Sequence, residues 1–129
     1  MTVAGEIQDH QARCLSHLIS LQMLAQGEAG VPLPRWAAAE IAQATGAVLA
    51  EAEAAGRAAL TTVRSRQDPV DGPFLRVRLD RLAAAADDAI AAARAGNPAA
   101  MGRHLRRFDA LTSAIWTVVL GAFEERPLR

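Results

Sequence analysis

The chain has 129 residues, 51% hydrophobic but only 4% aromatic, and its 14 basic and 14 acidic residues cancel. That length suits one domain with a single core, too short for two. The balanced charge argues against a general nucleic-acid binder, which needs a basic excess to release counterions from phosphates.

Alanine supplies about thirty residues. It combines the best helix propensity with little volume, so closely approached helices around a thin core are expected. Every basic residue is arginine, lysine and tyrosine are absent, and Asn97 is the sole asparagine. Codons for those scarce residues are AT-rich, which points to a bacterium with a GC-rich genome. One cysteine, Cys14, excludes an intrachain disulfide and fits a reduced, cytoplasmic protein. The opening MTVAGEIQDHQ has neither a basic n-region nor an apolar run, so no secretory signal is expected.

Proline and glycine cluster at 27–34, 68–73 and 96–98, and the segments between them show helical spacing. The first helix, about 4–26, sets Ile7, Cys14, Leu18, Leu21 and Ala25 on one face. The second, about 34–66, opens on Pro34, whose missing N–H costs nothing in a first turn. Its stripe is Trp36, Ile41, Val48, Ala52, Ala55, Ala59 and Val63, and its length lets it overhang the first helix. The third, about 73–95, buries Leu75, Leu79, Leu82, Ala86, Ile90 and Ala93. The fourth, about 98–125, starts with Asn97 as N-cap and Pro98 in the first turn. Its stripe of Met101, Leu105, Phe108, Thr112, Ile115, Val119 and Ala122 alternates steps of four and three. Short joints make neighbouring helices antiparallel, so the expected fold is all-α: an alanine-rich, up-down-up-down four-helix bundle over residues 1–129 as one domain.

Leu111 to Phe123 is the richest signal, an uncharged helical run apolar around more of its circumference than one neighbour can cover. Such a helix is buried on several sides or binds something. It is too short to span a bilayer, so no membrane role is expected. Trp116, Leu120 and Phe123 extend beyond the main stripe at i, i+4 and i+7, and the turn at Gly96 sets Phe74, Leu75 and Val77 level with them. Three covers are open: the overhanging second helix or the loop around Pro69, a second copy in a homodimer, or a small apolar ligand.

His10, Cys14 and His17 lie close to one helical face and are the weak metal candidates. His10 and His17 are about 10 Å apart along the axis, which strains a shared ion. Cys14 also sits in the apolar stripe, opposite Gly46, where a small hydrophobe fits. No metal or other cofactor is expected. Arg103, Arg106 and Arg107 near the start of the fourth helix are possible anion contacts. Reflection through the Gly96 turn also brings them level with Asp87 and Asp88, so interhelical ion pairs are expected. Arg76, Arg78 and Arg81 give the third helix a basic side.

No nucleophile–base set, phosphate loop or nucleophile elbow is present, so an enzyme is not expected. The leading expectation is a non-catalytic interaction module that self-associates or docks a protein partner through the last helix. The alternatives are a bundle binding a small apolar ligand beside Trp36, Phe108 and Trp116, or a metal protein using His10, Cys14 and His17.

Overall fold

A computed structural model describes residues 2–25, 35–62 and 72–124. They form α1 (Val3–Ala25), α2 (Ala37–Thr62), α3 (Gly72–Arg94) and α4 (Pro98–Glu124), a four-helix bundle with no strand among the described residues.

Local signals set the helix ends. Thr2 caps α1 by accepting the Gly5 N–H on Oγ1 at 3.0 Å. Arg35 and Trp36 form a turn, and the Trp36 carbonyl accepts the Glu40 N–H at 2.9 Å. The second helix therefore starts at Ala37, later than the expected Pro34, which lies outside the described residues together with the 63–66 overhang and the loop around Pro69. At the α3–α4 turn, Gly96 takes φ 68°, the left-handed conformation that a side chain resists. Its N–H reaches the Ala93 carbonyl and the Asn97 N–H reaches that of Ala92, which closes α3 in a Schellman arrangement. Asn97 Oδ1 then accepts the Ala100 N–H at 3.1 Å, so one residue ends the old cap and begins the next.

Contacts across the helix pairs give the directions. Between α1 and α4, Trp116 meets Cys14, Asp109 meets Gln22, and Gly102 lies beside the Ala25 carbonyl. Rising numbers on one helix meet falling numbers on the other, so the pair is antiparallel. The same holds for α2 and α3, where Glu53 meets Arg76 and Gly56 meets Leu75. The three-residue turn makes α3 and α4 antiparallel, and α1 and α2 follow by closure. Gly56 has a packing role: an added Cβ would lie 2.6 Å from Leu75 Cδ2 and 2.8 Å from Cδ1. Extended along the pair, this register sets Leu75 and Leu79 level with Ala55 and Ala52. It sets Ala85 and Ala89 level with Thr45 and Ile41. At Gly56 a large residue meets the smallest one, which lets this alanine-rich pair approach closely.

One core joins the helices. The expected faces are buried: Ile7, Cys14, Leu18 and Leu21; Ile41, Val48, Ala52, Ala55 and Ala59; Leu75, Leu79, Leu82 and Ala86; Met101, Leu105, Phe108, Ile115 and Val119. Thr112 and Thr45 are buried as well, each donating its hydroxyl one turn back, to the carbonyls of Phe108 at 2.8 Å and Ile41 at 2.6 Å. Helix α4 contacts all three others, whereas α1 and α3 do not meet among the described residues. The α2–α4 diagonal is the short one, so α2 and α4 each touch the three other helices.

Candidate functional site

The position of α4 decides the fate of Trp116. Its side chain is only 6% exposed, and its indole N–H donates to Cys14 Sγ at 3.2 Å. Helix α1 covers it within the monomer, which corrects the expectation that Trp116 stands on an outward docking face. Cys14 is the group that meets its indole N–H; the second-helix overhang and the Pro69 loop lie outside the described residues. Of the other residues expected there, Leu120 is half-buried, Phe74 is half-buried under the Arg78 guanidinium at 4.8 Å, and Val77 is exposed. Phe74 and Val77 do not line the groove that holds Trp116 and Leu120. Phe123 lies in α4, and its side chain falls outside the described residues.

Trp36 also departs from expectation. It precedes α2 instead of lying in its buried stripe, and is 58% exposed. Phe108 and Trp116 are packed into the core, so Trp36, out in solvent, does not join them in lining a shared apolar site.

The exposed apolar surface is on α1. Leu15, Ile19 and Met23 are 51%, 58% and 72% exposed, and their four-residue spacing makes one ridge. Leu15 also lines an open groove of about 240 Å³ with Gln11, Leu18, Ser113, Trp116, Thr117 and Leu120. No formal charge occurs from Cys14 to Ala25 on α1 or from Ala110 to Phe123 on α4, so ridge and groove make one neutral face. This ridge was missed because sequence reading assigned α1 a single buried stripe. The available signal was the absence of charge over twelve residues, with apolar groups on more than one side.

The polar candidates resolve differently. His10 presents Nδ1 to Glu51 Oε2, while Arg13 Nε donates to Glu51 Oε1 at 2.8 Å and Glu6 lies 3.8 Å from His10 Nε2. Burial raises the Glu51 carboxyl, but hydrogen bonds from Arg13 and His10, with their charges, outweigh it and hold the group below its usual range. His10 is thus part of a clasp between α1 and α2. Cys14 has its thiol pushed up, first by burial, with the Trp116 N–H acting the other way. Among the described residues, no three His, Cys, Asp or Glu side chains converge as a metal site. Gly46 is exposed with open space around it, so it does not stand opposite Cys14 as expected.

Arg103, Arg106 and Arg107 are exposed, as are Asp87 and Asp88. Among the described residues, the expected ion pairs between these groups do not form. Reflection gives height along the bundle but not the direction in which an exposed side chain points. On α3, Arg76 lies 3.5 Å from Glu53 and 3.6 Å from Asp80, so its charge is answered locally. Glu53 also pairs with Arg57, one turn along α2, at 2.6 Å. No described helix is long and apolar enough to cross a membrane.

Neither a protein-family model, nor a curated protein, nor a solved structure matches this chain.

Proposed function

We propose that this protein is a non-catalytic helical interaction module that self-associates, with the outer face of α1 and the adjoining edge of α4 as its contact surface. The observation that carries this reading is the uncharged ridge of Leu15, Ile19 and Met23 beside the Leu120 groove. Exposed large apolar groups are ordinary when scattered, but a contiguous row along two helical turns marks a contact surface. Removing each such side chain from water contributes about 1.5–3 kcal/mol.

A second copy suits this face in charge. The surface carries no charge to demand a basic or acidic partner, and two copies of it are chemically alike. An apolar small molecule is less well served, because the groove is open and falls below the roughly 300–1,000 Å³ common for ligand sites.

Sedimentation equilibrium over a hundredfold concentration range tests the reading, comparing the wild type with Ile19→Glu. The wild type is expected to approach dimer mass, and the variant to remain a helical monomer. A wild type that stays monomeric throughout overturns it.

A further inference from the structure

We propose that His10 is a proton-operated latch between α1 and α2: with its proton it bridges to Glu51 across the two helices, and without it both its partners lie on its own helix. The observation that carries this is what meets a single atom. His10 Nδ1 has Glu51 Oε2 within hydrogen-bonding distance and Arg13 Nη2 at 3.0 Å. A carboxylate only accepts and a guanidinium only donates, so Nδ1 serves Glu51 when it carries a proton and Arg13 when it does not. On the other side of the ring, Glu6 Oε1 lies 3.8 Å from Nε2. The imidazolium, with a proton on each nitrogen, answers Glu51 and Glu6 together. A neutral ring has one N–H to place. With that proton on Nε2, toward Glu6, Nδ1 accepts from Arg13 and the link to α2 is lost.

The surrounding charges favour the bridged form. On α1 they are Glu6, Asp9 and Arg13, and on α2 Glu51, so carboxylates outnumber the guanidinium. Glu53 and Arg57, the next charged groups on α2, pair with each other, and Glu53 also meets Arg76 of α3. Residues 110–123 of α4 carry no ionisable side chain, and α3 does not meet α1 among the described residues. The His10 and Glu51 side chains are 15% and 20% exposed, so water screens their contact less than it screens a surface pair. Arg13 donates from Nε to Glu51 at 2.8 Å, which holds its guanidinium beside the ring. Burial raises the Glu51 carboxyl, but hydrogen bonds from Arg13 and His10 hold it below its ordinary value. Glu51 is therefore a carboxylate throughout the range in which an imidazole changes charge, about pH 5–8. The latch is complete below that range and released as pH rises through it.

Urea unfolding of the full chain at one fixed protein concentration tests this. His17 and His104 are common to wild type and His10→Gln, so their protons cancel in the comparison. The ratio of the two unfolding constants is expected to be at least about fivefold larger near about pH 5.5 than near about pH 8.5, the difference between a charged and a neutral hydrogen bond. In a Glu51→Gln background that pH dependence should vanish. A ratio that does not change with pH, or whose change survives Glu51→Gln, overturns the latch. Nitrogen NMR of the wild-type histidine rings gives a second readout that needs no variant. Above about pH 8, His10 is expected to hold its proton on Nε2 and leave Nδ1 bare. A proton retained on Nδ1 would keep Glu51 bound and overturns the exchange of partners.

Discussion

Two glycines in one helix should respond oppositely to the same substitution. Gly46 and Gly56 both lie in α2, where alanine is worth about 0.8–1.0 kcal/mol more than glycine. At Gly46 an added Cβ meets nothing within 4 Å, so Gly46→Ala should stabilise by nearly that amount. At Gly56 the same methyl would stand 2.6, 2.8 and 3.2 Å from Leu75 Cδ2, Cδ1 and Cγ. Two of these distances are far inside the contact of about 3.5–4.0 Å that carbons prefer, and Leu75 is itself buried. Overpacking of this kind costs about 1–3 kcal/mol, so Gly56→Ala should come out about 0–2 kcal/mol less stable than wild type, and about 1–3 kcal/mol below Gly46→Ala. Urea unfolding followed by circular dichroism at 222 nm resolves that difference, with a matching melting-temperature gap of several degrees. Leu75→Ala in the Gly56→Ala background should restore part of the loss relative to Leu75→Ala alone, a coupling visible in a double-mutant cycle. If Gly56→Ala stabilises as much as Gly46→Ala, Leu75 is not seated on Gly56 and the α2–α3 register is wrong.

The α3–α4 turn offers a second test: Gly96→Ala forces a side chain into φ 68° and should cost about 1–2 kcal/mol, while Asn97→Ala removes the cap and should cost about 1 kcal/mol, both by urea unfolding. For the α1–α2 clasp, Glu51 is held below its ordinary value of 4.5, so its contribution is complete above that value and is lost as pH falls through the lower folded one. The stability gap between wild type and Glu51→Gln should therefore shrink from about pH 6 to about pH 3; a gap that stays constant would show that the carboxylate charge is not what matters. Buried Cys14 should resist iodoacetamide in the native protein and react on unfolding. Cys14→Ala should brighten Trp116 emission by removing a neighbouring thiol, and should destabilise by about 1–3 kcal/mol because the indole N–H loses its acceptor. Rapid native alkylation would contradict the Cys14–Trp116 contact.

How much of this could be read beforehand depended on the range of the cause. The Gly96-Asn97-Pro98 turn was legible because its residues act within three or four positions of themselves. The fourth-helix stripe was legible because burial repeats with the helical period. Trp116 was misplaced for a different reason: a stripe shows which side of a helix is apolar, not how many neighbours surround it. Once α4 lies on the short diagonal, a side chain beside its main stripe is enclosed. The exposed ridge on α1 is the counterpart, since among the described residues α1 has no contact with α3 and keeps an apolar side uncovered. The clasp of His10, Arg13 and Glu51 left no sequence signal, because residues about forty positions apart meet only through the helix register.

The amino-acid sequence by itself determined four helices, where the last two join, and which face of each is buried. Propensity, capping and periodicity act along one chain segment at a time. Only tertiary structure decided that the indole of Trp116 turns inward onto a cysteine and that Leu15, Ile19 and Met23 stay in water. Those outcomes depend on which helix packs beside which, and at what register.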